Sequence, residues 1–263
     1  MSRSELLSLV RETRRSLLVL EEEGGFLPKV DSRRACGVAG TVPLPAVPGE
    51  KSGGPMGSPG AAEWEALKKE VGDCRKCPLG RVRIQAVFGV GNPQAQVMFI
   101  GEGPGYEEDR RGEPFVGRAG QLLDKILASI GLNRQVVYIA NVVKCHPMID
   151  PSDPEKRGND RPPAPEEIEA CRGYLERQIR HIRPRILVPL GSVAARAILR
   201  TSQGISGLRG RWYDYPDPGF SDLSLRVLPT YHPAALLRNP ELKKEVWQDM
   251  KLLKKEIEAK SVN

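Results

Sequence analysis

The feature that most restricts this chain is an exchange of two periodicities between Ala61 and Lys260. Four short apolar runs, Val97–Ile100, Val136–Ile139, Ile186–Leu190 and Val227–Leu228, have the length and β-branched content of buried strands. Around and between them, Glu63–Val71, Gly120–Ile130, Pro165–Ile182, Val193–Leu199 and Glu241–Glu258 carry helical spacing. Such alternation predicts an α/β body with a parallel sheet covered by helices on both faces. Ligand-binding groups of such a sheet gather at the carboxyl ends of its strands.

The region before this body is different. Residues 2–23 read as an amphipathic helix, with Ser2 and Glu5 at capping-box spacing and Leu6, Leu7, Leu9, Val10, Leu17, Leu18 and Leu20 on the apolar side. Residues 24–60 are rich in Gly and Pro and lack periodicity, so they are expected to form a flexible linker. Three parts are therefore predicted: a helix at 1–23 able to dock a protein partner, a linker at 24–60 and a body at 61–263.

The chain has 263 residues and a formal net charge of +7, which permits nucleic-acid binding without requiring it. No run approaches the ~20 apolar residues of a membrane helix. Glu5, Arg11, Glu12, Arg14 and Arg15 break any signal-peptide pattern. A cytoplasmic, monomeric protein with reduced thiols is expected. Of five cysteines, Cys36 lies in the Gly/Pro-rich stretch and is expected to be a bystander. Cys74 and Cys77 form a Cys-x-x-Cys pair, and Cys145 and Cys171 lie far downstream. This matches neither a compact zinc finger nor a tight ferredoxin run, so a metal centre is expected with zinc and iron–sulfur both open, and plain buried thiols are the alternative.

Four segments at predicted strand ends carry polar chemistry. Gly101-Glu102-Gly103-Pro104-Gly105 follows the first strand and lets backbone N–H groups approach a ligand; a simple turn is the alternative. Phe115 sits in a Gly/Pro loop, as a stacking platform for a base or as a loop anchor. Asn141 interrupts an apolar run, where its amide can donate and accept along one base edge or cap a turn. His232, one of three histidines, precedes Pro233 at the last strand end, placed to meet charge developing on a substrate. Arg238 and Asn239, with Lys243 and Lys244, follow it as candidate phosphate contacts.

Gly-Glu-Gly-Pro-Gly-x-Glu-Glu-Asp, Pro-Phe-Val-Gly-Arg-Ala-Gly, Asn-Val-Val-Lys-Cys and His-Pro-Ala-x-Leu-Leu-Arg-Asn-Pro occur in that order with the four cysteines. Together these segments resemble the type-4, iron–sulfur uracil-DNA glycosylases over most of residues 64–258. The resemblance implies a three-layer α/β/α sandwich around a four-stranded parallel sheet. It also implies a structural [4Fe–4S] cluster on Cys74, Cys77, Cys145 and Cys171, and excision of uracil from single- or double-stranded DNA. By the same resemblance Gly101, Glu102 and Gly103 line the uracil pocket, and Glu108 excludes thymine's methyl group. Phe115 stacks on the flipped base, Asn141 reads its edge and His232 faces uracil O2. Better-known uracil glycosylases carry a water-activating Asp where Gly103 stands, so a dissociative route is expected, with water ordered by backbone or by Glu102.

Two departures stand out. The segment from His146 to Pro163 is longer than its counterpart in the family and carries Lys156, Arg157 and Arg161, candidates to touch DNA or cover the pocket. A related branch traps its product through a histidine in a Lys-Arg-Arg-Ile-His loop; that motif is absent, so ordinary turnover is expected. A non-catalytic iron–sulfur nucleic-acid binder of the same fold and a zinc-stapled nucleotide hydrolase are the rival readings.

Overall fold

The computed structural model describes residues 59–220 and 225–259. The predicted helix at 2–23 and nearly all of the 24–60 linker lie outside the described residues. The described chain runs α1 (Pro59–Asp73), α2 (Leu79–Val82), β1 (Val90–Gly91), β2 (Val97–Gly101), α3 (Tyr106–Arg111), α4 (Arg118–Ser129), β3 (Tyr138–Asn141) and α5 (Pro165–Ile182). It continues through β4 (Ile186–Pro189), α6 (Gly191–Leu199), α7 (Ile205–Leu208), β5 (Tyr213–Asp214), β6 (Arg226–Val227), α8 (Pro233–Arg238) and α9 (Leu242–Ala259).

The sheet order is β1-β3-β2-β4-β6-β5. The four predicted strands, β3, β2, β4 and β6, form its parallel centre. The expected four-stranded sheet is extended to six by β1 and β5, each antiparallel to its neighbour. These edge strands span two residues apiece, too short to leave an alternating signature in sequence.

Strand pleating divides the core into two layers. Met98 and Ile100 point to one face, where they join Leu67, Val71, Leu175, Ile179 and Ala194 from α1, α5 and α6. Val97 and Phe99 point to the other and meet Leu123, Leu127, Leu236, Met250 and Leu253 from α4, α8 and α9. Both faces of the central strands are thus buried, which explains why their sequences read as continuous apolar runs. The sandwich is the architecture the sequence implied.

Helix starts follow local chemistry. Pro165 fits the first turn of α5, and Glu167 Oε2 accepts a hydrogen bond from the Ala164 N–H at 2.7 Å. Pro233 does the same for α8, whose cap is His232. The proline ends the strand and starts the helix, fixing the histidine at the boundary.

Candidate active site and cysteine recess

Parallel pairing of β2 with β3 sets Gly101 directly beside Asn141 at the carboxyl ends of the two strands. A Cβ on Gly101 would lie 2.3 Å from Asn141 Oδ1 and 2.6 Å from Phe115 Cζ. The amide and the aromatic ring therefore both approach the bare α-carbon, and a side chain there would have to push one of them aside. Gly103 is hemmed in similarly: its Cβ would lie 2.7 Å from Val143 Cγ2. Asn141 is buried, and among the described residues no protein group hydrogen-bonds its side-chain amide. Its polar atoms are not sealed from solvent, so water or a ligand can reach the amide.

Phe115 is held in a left-handed backbone conformation (φ 57°), uncommon for a residue with a side chain. Its loop is braced from two sides. Arg134 donates to the carbonyls of Pro114 and Phe115. Glu108 accepts from the N–H groups of Val116 and Gly117, and its other oxygen accepts from Gly105. Glu108 thus binds the glycine-rich loop to the Phe115 loop, a bracing contact that the sequence reading missed. The short helix α3 that carries it was also missed, because Gly-Pro-Gly before it reads as a turn.

His232 faces Phe115 with ring centroids 5.4 Å apart. Its Nδ1 accepts a hydrogen bond from Ala234 N–H at 3.1 Å. A ring nitrogen that accepts carries no proton, so the neutral tautomer bears its hydrogen on Nε2 as a donor. Burial, assisted by the Arg238 charge, pushes the imidazole pKa down to about 4. The ring is neutral near pH 7. Glu102 shares this field: burial raises its carboxyl above the ordinary range and Arg238 pulls it partly back. Arg238, Asn239 and Leu237 are exposed on the rim, Leu237 at 42%. An apolar side chain standing in water at the rim was missed, since Leu236-Leu237 reads as ordinary helix packing. The strand end bearing His232 is anchored from below, where Asp249, fully buried, accepts from Thr230 Oγ1 at 2.6 Å and from Arg209.

The long segment after Cys145 is pinned down rather than free. Met148 bridges Asp160, Ile149 N–H donates to Asn159 O, and Arg161 pairs with both oxygens of Glu167. Arg110 pairs with Glu155, and Arg157 with Glu107 at 3.3 Å, tying the loop to α3. At its base His146 is fully buried. Its Nε2 lies 2.7 Å from Asp160 Oδ1, and its Nδ1, 3.7 Å from Asp109 Oδ2, makes no hydrogen bond. Burial alone would lower its pKa, but the two carboxylates outweigh it and lift the value to about 9. A ring so enclosed is a cross-brace and cannot reach a substrate carbon.

Cys74, Cys77, Cys145 and Cys171 are free thiols that line one recess together with Arg83, Lys144 and Tyr174. Two N–H donors are aimed at sulfur: Arg83 Nη1 lies 2.8 Å from Cys145 Sγ, and Lys144 N–H 3.3 Å from Cys171 Sγ. Burial raises the Cys145 thiol to about 12 and Cys171 in the same direction, against the pull of Arg83 and Lys144 respectively. Among the described residues, no three His, Cys, Asp or Glu side chains close on a point that could grip a single metal ion. Also among the described residues, no helix is long and apolar enough to cross a membrane.

The family model of the Uracil DNA glycosylase superfamily matches residues 88–251, which span the glycine-rich loop, Phe115, Asn141 and His232. The chain belongs to that superfamily. It is 44% identical over 189 residues to the type-4 uracil-DNA glycosylase of Archaeoglobus fulgidus, covering 70% of this chain and 88% of the relative. The type-4 enzyme of Sulfurisphaera tokodaii is 42% identical, with 72% and 83% covered. That of Thermotoga maritima is 40% identical, with 72% and 92% covered.

Proposed function

We propose that this protein is a monofunctional uracil-DNA glycosylase, which turns a deoxyuridine out of DNA and hydrolyses its N-glycosidic bond to leave an abasic site. The observation that carries the reading is the set of groups around Gly101: an unpartnered Asn141 amide, the Phe115 ring and a neutral His232 offering Nε2–H.

Inside a duplex the C1′–N1 bond is inaccessible, so extrusion comes first, at a cost of about a few kcal/mol. Arg238 and Asn239 hold phosphate, and Leu237 enters the gap that the departing base leaves. Phe115 stacks on the base, and Asn141 donates to O4 while accepting from N3–H, a pattern that cytosine reverses. Glu108 fixes the Phe115 loop, so its effect against thymine's methyl group is exerted through the shape of that wall. As C1′–N1 breaks, the electron pair passes to uracil and negative charge gathers at O2. His232 Nε2–H donates to it without surrendering its proton. Water, ordered by Glu102 or backbone, adds to C1′ and loses a proton, completing the abasic sugar. Every group named comes from one chain, so a monomer suffices.

Cys74, Cys77, Cys145 and Cys171 would hold a [4Fe–4S] cluster. Zinc draws four thiolates to about 2.3 Å from one point. The two N–H donors aimed at sulfur here, Arg83 and Lys144, are of the kind that tune iron–sulfur centres, and they favour the cluster. Bound there, the cluster supplies a cross-link between the α1–α2 segment, the Asn141 loop and α5. Residues 1–23, joined to the body by the 24–60 linker, are proposed to dock a protein partner. Incubation with uracil-bearing single- and double-stranded oligonucleotides, followed by alkali, tests the activity. Strand scission at uracil is expected, and brown, folded protein that leaves uracil in place in every substrate would make it a binder.

A further inference from the structure

Lys144 is one of the largest fully buried side chains, at 1% exposure. An ammonium taken out of water ordinarily finds a carboxylate. Among the described residues this one has no carboxylate partner: Nζ donates to the Asn141 carbonyl at 2.7 Å and to Gln178 Oε1 at 2.6 Å, both neutral acceptors. The Gln178 amide is fixed in that orientation, because its Nε2 donates to Phe88 O at 2.8 Å. Two acceptors satisfy hydrogen bonds but leave the charge uncompensated.

The same residue also belongs to the wall of the cysteine recess. Lys144 lines the recess formed by Cys74, Cys77, Cys145 and Cys171, and its backbone N–H already points at Cys171 Sγ. Four thiolates on a metal centre retain net negative charge, which the surroundings must balance. Arg83 meets that charge from the outer side, where it also donates to Gly72 O and Cys74 O. Lys144 is the fully buried cationic residue of the same lining, one position before Cys145.

We propose that Lys144 is the internal counter-cation of the four-cysteine centre and, through the Asn141 carbonyl, a positioning residue for the base-reading amide. The proposal rests on the metal-centre reading given above. One ammonium then joins the two functional regions: it faces the centre on one side and holds the backbone of the pocket residue on the other. Loss of the cation makes the centre harder to reduce and frees the Asn141 carbonyl.

The test uses the full-length protein with its centre in place and the variants Lys144→Met, Lys144→Gln and Lys144→Arg. Visible absorption reports the centre, voltammetry its midpoint potential, and steady-state assays kcat/KM on a uracil oligonucleotide. Met and Gln are expected to move the potential to more negative values and to lower kcat/KM about tenfold, the usual order for partners just outside a metal's ligands. Arg is expected to return the potential toward that of the parent. Failure of Met and Gln to fold, with Arg folding and carrying the centre, would likewise show that a cation is required. Parent potential and parent kcat/KM in Lys144→Met overturn the proposal, as does an Arg variant that fails alongside the neutral ones. A shifted potential with unchanged kcat/KM overturns the positioning role. Parent protein without a visible band in any preparation sinks the iron–sulfur reading on which the proposal rests, before a variant is made.

Discussion

The pocket and the cysteine recess are separated by only a few residues of chain, yet they are made in opposite ways. The pocket is built from absences: no side chain at Gly101, no partner on the Asn141 amide, no charge on His232. The recess is crowded with donors, with the Arg83 guanidinium on Cys145 Sγ and the Lys144 backbone N–H on Cys171 Sγ. A site that must admit a base and stabilise a transient charge keeps its polar groups unspent. A site that must hold a permanent charge spends them in advance. The segment Asn141–Cys145 serves both, its first residue in one and its last in the other.

The largest effect is expected where a recess residue is removed. Cys171→Ala should abolish the visible band and cost about 3 kcal/mol or more, a drop of roughly 10 °C in a melting curve for a body of this size. An unshifted melt would make the recess dispensable to the fold. In the pocket the loss should fall on chemistry instead. His232→Ala is expected to lower kcat by about 10²–10³, the range for loss of one preorganised donor, while affinity for uracil-containing DNA changes less than about threefold. Parallel losses in both would assign the histidine to scaffolding. Gly101→Ala places a Cβ 2.3 Å from Asn141 Oδ1. About a hundredfold loss of kcat/KM with nearly unchanged melting is expected, which sets it apart from the cysteine variant.

The pH profile separates the regions more finely. Because the folded His232 has a pKa of about 4, its protonation should leave no acid limb near the ordinary ~6.5, and any limb between belongs to Glu102, whose carboxyl burial raises. The sign for stability is the same: the unfolded chain takes up this proton first, so the histidine's contribution declines as pH falls from ~6.5 toward 4. An acid limb of kcat/KM near 6.5 would place a charged imidazole in the pocket. The smallest effect is expected from deleting residues 1–58, which ends just before α1 begins at Pro59. Activity on uracil oligonucleotides should stay within about twofold, and an inactive product would make the arm part of the body.

Much of this architecture was legible because the central strands are buried on both faces, so their β-branched runs stand out from the helical spacing around them. Asn141 was visible as a polar break in such a run, and His232 by its place before a proline. What was hidden depends on groups meeting across the fold. Nothing in Tyr106–Arg111 announces that Glu108 will bind three backbone N–H groups on two loops. Lys144 in Val-Val-Lys-Cys would pass for a solvated lysine, and only packing against α5 shows it to be buried. His146 is similar: Asp109 and Asp160, far from it in sequence, decide that it is a brace. The edge strands were missed because two residues carry no period.

The contact between Gly103 and Val143 has a consequence for how this catalyst could change over generations. A carboxylate grafted at position 103 would drive its first carbon to within 2.7 Å of a valine methyl. An acid there would have to displace the Val143 side chain or arrive together with a smaller residue at 143. One branched side chain thus makes positions 103 and 143 answerable to each other.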